Sequence, residues 1–424
     1  MSDIDRRYLI GAGIAGAALV AKLAHAGPLN PPAGPVAATG KTLDNVEPRT
    51  AVSAATCPGD DTCLYRITAP GSYYLTAGVA AAGTTIVRIS ASGVTLDCRG
   101  FTLNGAGNAV SPPSPACVAV DDGLHAVDVF DAVCRDAVRG MQCGGACVSV
   151  SDVDCSGCTT GIEVGPGSSV DDCRATTCVL AFACTAGPEA AAVGGGTTFT
   201  ECIARACGTG FACADGTCID DCVACECDAG VACGDRCFIT NTCVIRASSV
   251  SSTGAGAPGI SVGAASECDS CCVIGATGPG IACGVSCCID SCVCCRCGSA
   301  GAQCGDKCDV SDCTFNDNAL GGVSVASSCR VFDCCCDGNG NAPGTPPGFA
   351  IACESGCSIE DNTCRNSPVA CRVGGTGSLV ISNMLRGCPS PVVMTNPNEN
   401  SIGAMVNSQN NPAFQSNNNV GNMV

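Results

Sequence analysis

A chain of 424 residues with 44 cysteines, 55 glycines, no tryptophan and 3% aromatic residues lacks the bulky side chains that pack an ordinary globular core. Its formal charge of −18, with 20 Lys and Arg, excludes the basic surface that nucleic acid requires. The same charge disfavours anionic membranes, and it disfavours polyuronates unless a cation bridges them.

The chain opens with Asp5-Arg6-Arg7-Tyr8-Leu9-Ile10, an apolar Gly/Ala run from Gly11 to Val20, Lys22, and Ala24-His25-Ala26. A basic region, an apolar region and a small-x-small site in that order predict an export signal over residues 1–26. The paired arginines and weakly hydrophobic run resemble a twin-arginine signal; a general secretory signal carrying Arg-Arg is the alternative. The run is too short and too rich in glycine for a membrane span, so no stable span is expected once the signal is removed. A chain folded before export folds in a reducing compartment, so its fold should not depend on disulfides, although cysteine at about 10% would suggest them in a short secreted domain.

Residues 27–64 read as a Pro-rich leader and N-terminal cap. Tyr65 to Thr76 reads as strand, Pro-Gly turn and strand, and Val94 to Leu103 as alternating strand. The stretches GPLNPP…KTLDNVEPRT, PGSYYLT and SGVTLDCRGFTLNG resemble the opening of a family of exported right-handed parallel β-helix proteins abundant in planctomycete-type bacteria. The resemblance covers residues 27–105 and implies that fold and an extracytoplasmic location. It implies no established activity.

From residue 65 to 388 the chain is periodic. Gly-hydrophobic pairs recur at Gly161-Ile162, Gly210-Phe211, Gly230-Val231, Gly259-Ile260, Gly280-Ile281 and Gly322-Val323, with spacings of 20 or 21 broken by 29. The motifs IDSCVC, VSDCTF and VFDCCC place Cys292, Cys313 and Cys334 at intervals of 21, and Cys155, Cys173, Cys202 and Cys222 are assigned to the same frame. A fixed period near 21 with β-branched residues at alternate places predicts an all-β solenoid of about 14 coils, which the resemblance implies is a right-handed parallel β-helix. Ala247–Pro258 and Asp337–Gly348 are expected to protrude as loops. Residues 389–424, rich in Asn, Pro and Ser, are expected to form a loose C-terminal cap or a flexible tail.

Cysteine replaces valine at inward sites, where a free thiol serves as a small hydrophobe. Two further readings stay open. C-x-x-x-C pairs bracketing turns, Cys143/Cys147, Cys233/Cys237, Cys283/Cys287, Cys304/Cys308 and Cys353/Cys357, are candidate disulfides. Cys292, Cys294, Cys295 and Cys297 are the best candidate metal cluster, because zinc needs four convergent ligands and the chain has only two histidines.

Asp172, Asp221, Asp312 and Asp333 recur in one repeat position, which predicts a scaffold ladder that satisfies turn amides. Asp121-Asp122-Gly123 breaks the pattern, with His125 and Arg135 or Arg139 nearby, and supplies the weak catalytic candidates Asp121, Asp122 and Arg135. The sequence therefore predicts an exported, non-catalytic rod, an envelope component or glycan binder, with no cofactor. The alternatives are a polysaccharide hydrolase, or a lyase for which Ca²⁺ would serve at the uronate, and a thiol-rich soft-metal binder.

Overall fold

The computed structural model describes residues 49–105, 115–185, 196–246, 256–342 and 347–407. The signal, most of the leader, the centres of both predicted loops and the last residues lie outside this set. Every regular element described is a β-strand, and none is a helix long and apolar enough to cross a membrane. The chain is a parallel β-solenoid, and all but one of its strand pairings are parallel.

Each coil contributes one strand to a sixteen-stranded sheet, and most contribute two short strands to a second, twenty-eight-stranded sheet, where Val94–Asn104, Val127–Arg135 and Val148–Ser156 run through as single long strands. In the sixteen-stranded sheet, Pro58–Asp60 runs antiparallel to Cys63–Ile67, and the other fifteen strands stack in parallel. At about 4.8 Å per coil that stack is roughly 70 Å tall. The first coil already includes Thr50–Ala51, paired with Tyr73 and Tyr74. Ser390–Met394 adds a strand beyond Val369–Val373, so coiling extends past residue 388.

Alternation within the strands aims three columns of side chains at the axis. One runs Met141, Ile162, Phe182, Phe211, Val231, Ile260, Ile281, Ala302, Val323 and Ile351. A second runs Val150, Val170, Phe199, Ile219 and Ile239, and a third Cys155, Ala175, Ala204, Ala224 and Val244. Their volumes compensate. Where Phe182, Phe199 and Phe211 pack together, with centroids 4.9–6.0 Å apart, the third column shrinks to alanine. Where the first column shrinks to Ala302, the third supplies Phe315. Close packing in a narrow tube demands this exchange.

Candidate functional site: corner ladders, thiols and a polar depression

From Gly157 onward the corners share one design: a residue in the left-handed region is followed, except at Ala276, by a small inward polar side chain, whereas in earlier coils it is followed by apolar residues such as Val127, Ala132, Val148 and Val153. At the corner between the two short strands the left-handed residues include Asp172 (φ 44°), Asp221 (51°), Ser291 (52°), Asp312 (50°) and Asp333 (51°). The residues that follow are Cys173, Cys222, Cys292, Cys313 and Cys334, all buried. The other two corners repeat the device, with Arg296-Cys297 and Asp317-Asn318 in one and Ser286-Cys287 and Lys307-Cys308 in the next.

The inward side chain completes the backbone bonding of the corner. The amide of Cys271 donates to Cys292 Sγ, that of Cys292 to Cys313 Sγ, and that of Cys202 to Cys222 Sγ, each at 3.4 Å. The thiols in turn donate to carbonyls, as Cys173 does to Asp171 at 3.2 Å and Cys292 to Cys268 at 3.4 Å. Asparagine fills the same slot elsewhere: Asn318 Oδ1 accepts from the Cys297 amide, and Asn362 Oδ1 from the Cys334 amide, both at 2.9 Å. Serine fills it at Ser266, whose Oγ accepts from the Cys237 amide at 3.0 Å. A turn amide inside a dry tube must find an acceptor. Cysteine supplies one with an apolar body, which accounts for the corner cysteines; others, such as Cys294 and Cys336, lie inside strands, buried as small apolar side chains.

This corrects two sequence expectations. Cys292, Cys313 and Cys334 sit at corners and not within strands, and Cys155 does not share their frame: it pairs with Cys134 and Ala175 inside a strand. The aspartate ladder does not bind turn amides. Among the described residues, Asp172, Asp221, Asp312 and Asp333 form no side-chain hydrogen bond; they supply the left-handed backbone that short polar residues tolerate best.

All 44 cysteines are free thiols here. Of the C-x-x-x-C pairs, Cys233/Cys237, Cys283/Cys287 and Cys353/Cys357 bring their thiols into contact across the turn. Cys304 and Cys308 are both buried, whereas Cys143 is buried and Cys147 is exposed. Cys292, Cys294, Cys295 and Cys297 do not converge. In the strand Val293–Cys295, Cys294 points inward and Cys295 outward, while Cys292 and Cys297 occupy different corners. Burial pushes the Cys294 thiol far above its ordinary value and that of Cys297 to about 11. Among the described residues, the one set of three thiols that gathers within 4.8 Å is Cys283, Cys287 and Cys308.

The catalytic candidates are dispersed. Asp121 ends the strand Ala116–Val120 and is held by Arg88 Nε and Ser90 Oγ, both at 2.6 Å. Asp122 is exposed, and His125 bonds Ser92 Oγ through Nδ1 at 3.3 Å. Arg135 lies at the far end of Val127–Arg135, in the other sheet.

Arg139 instead joins a depression that no single stretch of sequence announces. On the outer face of the sixteen-stranded sheet, Arg66, Arg88, Ala119, Gln142 and Glu163 stand in register on successive coils. Arg139 pairs with Glu163 at 2.9 Å. Asp61, Thr62, Thr84, Arg88, Arg139 and Gln142 line a hollow of about 230 Å³. Thr84 Oγ1 is shielded there and has no partner among the described residues. Beyond Glu163 the same outward column continues as Ala183, Ala212, Ala232, Ser261 and Ala282, a floor of small side chains.

No protein-family model matches the chain, and no curated protein matches it. Among solved structures the chain is similar to the A-module of a mannuronan C-5 epimerase of Azotobacter vinelandii, with 13% identity, 79% of this chain and 91% of that one covered, and a TM-score of 0.39. It is similar to a periplasmic alginate epimerase, with 8% identity, 85% and 84% covered and a TM-score of 0.40. It is also similar to tailspike protein 3 of bacteriophage CBA120, with 12% identity, 92% and 68% covered and a TM-score of 0.40.

Proposed function

We propose that the chain is an exported β-helix rod, related to the family its leader resembles, that binds a weakly charged or neutral glycan without cleaving it. The observation that carries the reading is the depression around Arg88 and Arg139. Each arginine there faces a carboxylate, Arg66 with Asp60 at 2.5 Å, Arg88 with Asp121 at 2.6 Å and Arg139 with Glu163 at 2.9 Å. Such a surface offers donors and acceptors in alternation, as sugar hydroxyls require, and it has little net charge for a polyanion to seek. The shielded Thr84 hydroxyl, without a partner among the described residues, adds one more group for a ligand to satisfy. The floor of alanine and serine beyond it gives an extended chain room to lie along the rod. Asp121 is tied up by Arg88 and Ser90, which suits a positioning role better than proton transfer.

The test is binding to a panel of neutral, uronic and sulfated oligosaccharides. Arg139→Ala should weaken the best ligand about tenfold, the scale of one charge-assisted hydrogen bond. Arg330→Ala, on the other sheet and stacked on Phe332, should leave it unchanged. Equal binding by wild type and Arg139→Ala would refute the site. Product release that Ca²⁺ stimulates and Asp122→Ala abolishes would replace the binder with an enzyme.

A further inference from the structure

Cys283 ends a strand of the sixteen-stranded sheet, Gly284 to Ser286 turn the chain, and Cys287 follows the left-handed Ser286. Cys308 is the next rung of the same corner ladder, its Sγ accepting from the Cys287 amide at 3.4 Å. The three sulfurs lie within 4.8 Å of one another, and among the described residues no other set of three or more Cys, His, Asp or Glu ligand atoms is so gathered. Cys287 and Cys308 are buried and Cys283 is half-buried.

We propose that Cys283, Cys287 and Cys308 form a three-coordinate site for a soft monovalent cation, Cu(I). Three metal–sulfur bonds of about 2.3 Å in a plane set the sulfurs about 4.0 Å apart, so the triangle closes on an ion by moving each pair less than about 1 Å. Zinc would need a fourth ligand; Cys304 touches Cys283, but among the described residues no fourth His, Cys, Asp or Glu lies within 4.8 Å of all three sulfurs. Hard cations such as Ca²⁺ find no oxygen cage here. Binding replaces S–H by S–Cu bonds, and the displaced protons pass to solvent; copper remains Cu(I) throughout. The site depends on a coincidence of two repeat patterns. Cysteine occupies both the strand end and the corner in one coil and the corner again in the next. Cys304, Cys308 and Cys329 repeat that arrangement one coil on, but their sulfurs do not all lie within 4.8 Å of one another. One coil before, the strand end is Val262 and the corner Ser266, and after Cys353 and Cys357 the next corner is Ser378.

The experiment is an anaerobic titration of the fully reduced chain with Cu(I) against a chromogenic Cu(I) chelator. The first equivalent should bind roughly a hundredfold more weakly to Cys287→Ala than to wild type, the effect of losing one of three ligands. Cys292→Ala, which interrupts a thiol ladder at another corner, should leave the first equivalent as tight as in wild type. Cys283→Ala lies outside the corner ladder and serves if Cys287→Ala does not fold. X-ray absorption on wild type at one equivalent should show three sulfurs and no lighter ligand. Equal first-equivalent affinity in wild type and Cys283→Ala, or a two-sulfur linear site, would overturn the proposal.

Discussion

Asn362→Ala should destabilise the C-terminal coils by about 4 kcal/mol, while Asn362→Cys should cost only about 1–2 kcal/mol. Asn362 is fully buried; its Oδ1 accepts from the Cys334 amide at 2.9 Å, and its Nδ2 donates to the Val331 carbonyl at 2.9 Å and to Asn383 Oδ1 at 3.0 Å. Alanine leaves the Cys334 amide and the Val331 carbonyl without partners in a place water does not reach. Each such group costs about 1–3 kcal/mol. Cysteine restores an acceptor and a donor, as it does at Cys292 and Cys313 in the same ladder. Urea midpoints of the three proteins, with amide exchange at Cys334 as the local readout, check the order. If Asn362→Cys is as damaging as Asn362→Ala, the thiols are not hydrogen-bonding equivalents of the asparagines, and the explanation offered for the corner cysteines fails.

The second large effect is expected at Gly280. A Cβ there would lie 2.4 Å from the Gly301 carbonyl oxygen, which is backbone of the next coil, and 2.9 Å from Cys294 Cβ and Sγ. Nothing flexible is available to move aside. Gly280→Val should force two coils apart along the ladder and cost about 3 kcal/mol, the upper range for overpacking. Equilibrium unfolding in urea measures it. A loss below about 1 kcal/mol would mean that coil spacing is softer than close packing allows.

The solenoid was legible because its two strongest signals are local. Alternation of β-branched residues and a period near 21 are both written along the chain, and the Gly-hydrophobic pairs mark the start of the first strand in each coil. What the sequence obscured was the corners. The left-handed position accepts Asp, Asn and Ser readily, yet it also holds Glu201, Arg296, Lys307 and Ala265. No residue pattern therefore marks it, and the cysteine after it looked like part of a strand. Cys155 mimics the corner frame for the same reason. A two-residue difference separates a corner from the middle of the next strand, and both sites carry cysteine. The depression was illegible for another reason. Arg66, Arg88, Arg139 and Glu163 come from separate coils whose spacings are irregular near the N-terminus, so register alone brings them together.

The corner ladders carry a consequence for the length of the molecule. Along the corner between the two short strands, the inward Cys or Asn side chain accepts from an amide of the coil before it. Removing residues 280–300 would join Pro279 to Gly301 and keep Ala302 in the same coil as Phe315, and the Cys271 amide would meet Cys313 Sγ in place of Cys292 Sγ. Duplicating the same 21 residues would be equally silent. Recombination between neighbouring coils can thus lengthen or shorten this protein one whole turn at a time without a repair mutation, so its height is a variable that selection can adjust independently of its cross-section.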